Sequence, residues 1–361
     1  MTTYRLDVYD LDGVLRYQLT DKLWFSYTRR VNAPGLLQFG YWGGAELLET
    51  IGDKWQVEVW RNAGQWRREF VGFYRNLNWQ QPDIEKAVLT CNGIMALLSW
   101  RTVAYPAGVA NRTRFINQSA ETIAKVLVTR NATTAGTVAD GRLRDVPAGY
   151  PRSGTLVEVD SEGGNSLDWF CANRNLLNTL QELSDVGGGD FDVVKVSDTT
   201  WEFRWYDDQL GDDKTDDVTF AVELGNMANP FYSEAYQDEK TIAIVGGQGE
   251  ADDREYVVRE GENLRTDNDI EVFVDAKDVD STEGLNARGD SRLEELQMRE
   301  EFSFDVLQAP ATRYGEDYDL GDIVTAINPF TGVDYTMKIK SVTVSMNSEG
   351  EETISAGMAV Q

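Results

Sequence analysis

A chain of 361 residues is longer than one hydrophobic core usually serves, so two to four domains are expected. It carries 34 Lys+Arg against 61 Asp+Glu, a formal net charge of −27, which argues against a basic nucleic-acid binder. With no histidine anywhere, Ser-His and Cys-His nucleophile systems and imidazole metal sites are excluded.

Residues 4–9 alternate as a first strand, Asp12-Gly13 signals a hairpin, and residues 14–19 form the return strand. Residues 23–31 place aromatics on one face of another strand, which Pro34-Gly35 breaks. Residues 45–50 read as a short helix before Ile51-Gly52-Asp53. A meander follows: residues 56–60, a turn at Asn62-Ala63-Gly64, a long strand over 67–79, a turn at Gln81-Pro82-Asp83, and residues 87–91. Residues 1–102 therefore read as an N-terminal small β-barrel, ending in a helical turn over Ile94, Met95, Leu97 and Leu98 that Asn92 could cap.

Residues 103–217 change character and read as an inserted α+β domain. Ser119 caps a helix bearing Ile123, Val126 and Leu127. Residues 132–154 read as an irregular loop with a strand, and residues 166–186 as one helix carrying Leu176, Leu180 and Leu183, stopped at Gly187. A hairpin follows over 191–196 and 200–205. The acidic run Asp207, Asp208, Asp212, Asp213, Asp216 and Asp217 comes as adjacent pairs. A calcium loop needs alternating ligands, a central Gly and a terminal Glu, so a solvated linker is the better reading.

Residues 218–250 and 301–361 form the second β-barrel, interrupted by a small strand-helix insertion over 251–300. Strands are expected over 218–224, 240–245 and 302–307. Gly246-Gly247-Gln248-Gly249 is followed by Glu250, Ala251, Asp252 and Asp253, where a phosphate loop needs Lys and Ser/Thr, so it reads as a hairpin loop. The insertion carries strands over 255–259 and 270–274 and a helix over 282–299, with Arg288-Gly289-Asp290 inside that helix. The chain ends in a second meander, from Asp319 to Met358, with turns at Pro329-Phe330-Thr331-Gly332 and at 347–350. Its order and lengths echo the first: Gly52-Asp53 matches Gly321-Asp322, and each pair precedes a strand, a Gly turn, a long strand and a closing strand. The fold class is thus mainly β with α+β insertions, built on two similar small β units.

Charge is divided along the chain. Residues 1–155 contain 19 Lys+Arg and 14 Asp+Glu; residues 156–361 contain 15 and 47. Solubility explains an acidic half, and so does a surface that must repel a polyanion. Cys91 and Cys171 read as small buried hydrophobes, and the sequons at Asn111, Asn117 and Asn131 as chance matches without a secretion signal. No run approaches 18 apolar residues, so no membrane partner is expected. Neither catalytic, cofactor-binding nor metal residues stand out, so the chain is read as a non-enzyme that needs no cofactor. Two rival readings are a carbohydrate- or receptor-binding β module using surface Trp and an acidic glycosidase, which needs two carboxyls in one cleft.

Several short motifs fall in a telling order: Leu97-Leu98-Ser99-Trp100-Arg101, Phe220-Ala221-Val222-Glu223-Leu224-Gly225-Asn226, Ile242-Ala243-Ile244-Val245-Gly246-Gly247-Gln248-Gly249-Glu250, Val274-Asp275-Ala276-Lys277 and Asp317-Tyr318-Asp319-Leu320-Gly321-Asp322. Over nearly its whole length the chain resembles the siphophage tail-tip hub family, the hub-like part of tail-associated proteins, similar in fold to the baseplate hubs of contractile phages. The resemblance implies a structural virion protein made in the host bacterial cytoplasm. It also implies a homotrimer whose six barrels form a pseudo-sixfold ring. Its partners would be the distal tail ring or tail tube above, a tip fibre or spike below, and phage DNA passing through the lumen without specific binding. The excess acids would then face lumen and solvent, and Arg29-Arg30, Arg67-Arg68, Arg112 and Arg114 would lie at contacts with neighbouring chains. The long fibre or lytic extension of many relatives is not present in these 361 residues, which leaves a host-binding or cell-wall-cleaving role unsupported.

Overall fold

The computed structural model describes residues 2–21, 23–42, 46–79, 87–104, 113–138, 142, 149–249, 253–277, 279 and 281–360. The first unit contains β1 (Thr3–Tyr9), β2 (Leu15–Leu19), β3 (Leu23–Arg30), β4 (Leu36–Tyr41), α1 (Glu46–Thr50), β5 (Gln56–Asn62), β6 (Trp66–Asn78) and β7 (Val88–Gly93). Its strands lie in the order β3-β4-β7-β6-β5-β1-β2. Period-two patterning explains them: Leu23, Phe25 and Tyr27 are buried while Trp24, Ser26 and Thr28 are only half-buried. Gly13, at φ +76°, makes the expected hairpin turn between β1 and β2.

The inserted unit contains α2 (Ala96–Ser99), β8 (Thr113–Ser119), α3 (Ala120–Ala132), β9 (Thr155–Val157), β10 (Ser166–Cys171), α4 (Leu176–Gly187), β11 (Asp190–Ser197) and β12 (Thr200–Tyr206). Ser119 caps α3 as expected, accepting a hydrogen bond from the Thr122 N–H. The single helix expected over 166–186 is instead a strand followed by a helix. Leu167, Trp169 and Cys171 turn to one face and β10 ladders with β8; Asn175 then caps α4 through the Asn178 N–H. Leu176, Leu180 and Leu183 point into the same core as Ile123, Ala124 and Leu127 of α3. Ile94, Leu97 and Leu98 join that core too.

The second unit contains β13 (Thr219–Phe220), β14 (Met227–Ala235), β18 (Arg299–Val306), β19 (Ile323–Ile327), β20 (Asp334–Met346) and β21 (Glu352–Val360). Between β14 and β18 lies a small unit of β15 (Ile242–Gly246), β16 (Tyr256–Glu260), β17 (Glu271–Asp275) and α5 (Thr282–Glu295). β15, expected in the second barrel, is instead the central strand of this sheet, because both of its edges pair there. The strand expected over 218–224 shrinks to β13, because the chain turns at 221–225 with Gly225 at φ +69°. β14 was not expected: Asn229-Pro230 interrupts its alternation, and the ladder with β18 slips there.

The two units are joined edge to edge. β20 pairs β19 with its first half and β3 with its second, so strands of both units share one eleven-stranded sheet and one core.

The duplication holds residue by residue in the ladders. Val57↔Gly72, Glu58↔Val71 and Val59↔Phe70 in the first unit correspond to Val324↔Met337, Thr325↔Thr336 and Ala326↔Tyr335 in the second. β6 and β20 are both 13 residues long. Each carries a bulge against its closing strand at the matching place, Arg75 in one and Lys340 in the other. The Gly-Asp match slips by two residues. Lys54 and Trp55 bond to Tyr74 as Gly321 and Asp322 bond to Ile339, and Lys54 (φ +63°) takes the left-handed position of Gly321 (φ +91°).

Candidate functional site

The most elaborate polar site among the described residues lies where the two β units meet. Arg29 on β3 and Arg67 on β6 both reach Asp319, at 2.7 and 2.8 Å. Arg67 also forks onto Glu69 at 2.8 and 3.2 Å, and the Tyr314 hydroxyl donates to Glu69 at 2.6 Å. Arg29 donates to the same hydroxyl at 2.8 Å. Two guanidiniums thus meet two carboxylates around one buried phenol, which satisfies charges that would be costly to bury alone. Burial works against the Asp319 carboxylate, but Arg29 and Arg67 outweigh it and hold the group below its usual range. Beside this cluster, Arg61 donates to Glu352 at 2.9 Å and Tyr4 donates to the same carboxylate. Burial, with Glu352 adding to it, pushes the Tyr4 phenol well up.

The inserted unit is pinned to both halves. Lys195 on β11 pairs with Glu58 on β5 at 2.6 Å, both side chains almost fully buried. Asp190 accepts from Asn32 at 2.9 Å and from the Leu210 N–H at 2.7 Å, and pairs with Lys338 of β20 at 2.6 Å. Between these anchors lies a cleft of about 210 Å³ whose charged lining is Arg29, Arg30, Arg68, Lys195, Glu69 and Asp192. Burial raises Asp192 to about 6 against the Val193 N–H and the nearby Arg29 and Arg204.

The residues singled out in the sequence scatter. Arg29 and Arg67, expected at contacts with neighbouring chains, are engaged within the chain, and Arg68 donates to the Lys195 carbonyl at 2.7 Å. Arg30 and Arg114 are exposed; Arg112 lies outside the described residues. The acidic run straps the linker to the second unit. The Asp212 N–H donates to Asp322, Lys214 pairs with Asp322 at 3.1 Å, and Asp213 caps Thr215. Among the described residues no group of three acid or cysteine side chains is placed to hold a metal ion. Gly246-Gly247-Gln248-Gly249 leads out of β15 in a loop where Arg254 holds the Gly246 and Gly247 carbonyls, and Glu250 to Asp252 lie outside the described residues. Arg288-Gly289-Asp290 lies in α5, as expected, with Asp290 paired to Arg259 at 2.6 Å.

Asn131 is buried and bonded to the Leu127 carbonyl, Asn117 is exposed, and Asn111 and the turn at 81–83 lie outside the described residues. Burial raises both thiols, Cys171 to about 11. No helix among the described residues is long and apolar enough to cross a membrane. The junction carboxylates Glu69 and Asp319 and the strand β14 were missed in the sequence. Glu69 stands among arginines in Arg67-Arg68-Glu69, and only the fold brings Asp319 to it.

Residues 5–358 match the family of Siphovirus ReqiPepy6 Gp37-like proteins. No curated protein sequence matches the chain. Among solved structures, the 43 kDa tail protein of prophage MuSo2 from Shewanella oneidensis superposes with a TM-score of 0.60 at 13% identity, covering 99% of this chain and 98% of that one. The tail protein from Neisseria meningitidis MC58 gives 0.57 at 10% identity, over 99% and 97%. The Francisella PdpA-VgrG complex gives 0.56 at 8% identity, over 99% of this chain and 57% of the other. At such identities the likeness is one of fold.

Proposed function

The chain belongs to the Siphovirus ReqiPepy6 Gp37-like family of phage tail proteins, and from that premise we propose that it is the structural hub of a tail tip. Three copies form a ring, and because each carries two β units the ring presents six similar units to its surroundings. A sixfold tail tube or distal ring can sit on that face, while the opposite face stays threefold and can receive a fibre or spike. The observation that carries this reading is the duplication in ladder register, from Val57↔Gly72 against Val324↔Met337 to the matched bulges at Arg75 and Lys340. A pseudo-sixfold face needs two units alike in backbone, whatever their side chains.

The protein then works mechanically, not as an enzyme. Ion pairs and ladders fix the two units in one rigid sheet, as a connector under load requires. The acidic half of the sequence, with 47 Asp+Glu against 15 Lys+Arg, lets DNA slide through the lumen without phosphate contacts to retard it. Copy number and symmetry test the proposal: light scattering of the purified chain and a reconstruction of the assembled tail should give three copies around a threefold axis. One copy or six in the assembled tail would refute it.

A further inference from the structure

We infer that successive copies of the chain are joined by a β ladder between residues 76–79, at and just beyond the end of β6, in one copy and residues 231–235 of β14 in the next. The inference rests on the ring proposed above and names the contact that closes it. Its template is inside the chain. Beyond β19, the free edge of β20 pairs antiparallel with β3, Val342 facing Arg29 and Val344 facing Tyr27. Val342, Val344 and Tyr27 are fully buried by that junction.

The duplication supplies the counterpart of each strand, but not its partner. The matched bulges set Leu77 on Val342 and Trp79 on Val344. β5 stops pairing with β6 at Phe73, so among the described residues no strand pairs with the edge beyond the bulge. In the second unit, β18 packs beside β21 without laddering to it, where β4 ladders with β7; β14, the ladder partner of β18, thus stands nearest to the place of β3. Among the described residues β14 pairs only with β18. The burial difference follows: Trp79 is 52% exposed where Val344 is buried, and Phe231 on the open β14 is 53% exposed.

Free edges are normally blunted by charge, and residues 76–79 and 231–233 carry none. Pro230, which has no N–H to donate, stands just before the run and would end an added ladder there. Another copy offers the complement of both edges at once, and such a head-to-tail contact closes into a ring when the rotation allows. Three copies would then contain six like junctions, alternately within and between chains.

Cysteine pairing across the joint tests this. Asn78→Cys is combined in turn with Phe231→Cys, Ser233→Cys and Ala235→Cys, the native Cys91 and Cys171 being buried. Under mild oxidation at least one combination should give covalent dimers and trimers, since facing Cβ atoms in a ladder lie within disulfide reach, and each single variant should not. Trp79→Asp with Phe231→Asp should raise the half-assembly concentration at least about tenfold with the melting temperature unchanged. Threefold copies with no cross-link in any combination, in the purified chain or in isolated tails, would overturn the ladder and leave the ring. A chain that is single in the assembled tail would overturn both.

Discussion

Replacing Glu69 by Gln tests whether the ionic junction holds the two β units together. The Glu69 carboxylate is 1% exposed and takes two bonds from Arg67 and one from Tyr314. Removing one partner of a fully buried pair costs roughly 3–5 kcal/mol. Here the loss should be smaller, because Asp319 remains on both arginines and the side chains of Arg29, Arg67 and Asp319 are 26%, 34% and 33% exposed. We expect about 2–3 kcal/mol, the part of that cost which water and Asp319 do not recover. Chemical denaturation followed by tyrosine and tryptophan fluorescence reads it. The loss should persist in 1 M NaCl, where a Debye length of about 3 Å screens exposed pairs but not this one. Adding Arg67→Met should restore about 1 kcal/mol by removing the cation left in excess. A loss below about 0.5 kcal/mol, or one abolished by salt, would mean that the sheet carries the junction and the charges merely tolerate burial.

Two further outcomes follow from the backbone and from Asp192. With its folded pKa raised to about 6, Asp192 stabilises the protonated native state, so its contribution falls as pH rises from about 4 through 6. Asp192→Asn should flatten that part of the stability profile and leave the protein about 1–2 kcal/mol more stable at pH 7; an unchanged slope between pH 4 and 6 would refute the assignment. Lys54 and Gly321 hold the same left-handed turn, so opposite substitutions should act oppositely. Lys54→Gly should stabilise by about 0.5–1 kcal/mol, while Gly321→Ala should cost about 1–2 kcal/mol. In the second case a Cβ would stand 2.8 Å from the Gly211 nitrogen, and thermal melts of the pair should separate in sign.

The sequence by itself determined the repeat and most strand positions. Alternation at Leu23-Phe25-Tyr27 and at Met337-Ile339, Gly turns at Gly64 and Gly332, and the Ser119 cap are local signals, and local backbone preference sets them. Where two periodicities abut, as between Trp169 and Leu176, one apolar run concealed a strand and a helix that only the ladder with β8 separates. β14 stayed hidden for a related reason. Pro230 and its bulge erase the local alternation, and pairing with Phe302 and Glu300 across the small insertion makes the strand.

The junction belonged wholly to the tertiary structure. Arg29 is singled out in the sequence as a contact residue and Asp319 as part of a motif, but neither they nor Glu69 reveal their partners there. An ion pair depends on distance in space, and the strand pairing that sets this distance joins residues hundreds of positions apart, such as Arg29 and Val342. The same pairing turned two separate units into one sheet, because an edge strand accepts any chain that brings matching N–H and C=O groups, a property of backbone geometry that side-chain identity barely records.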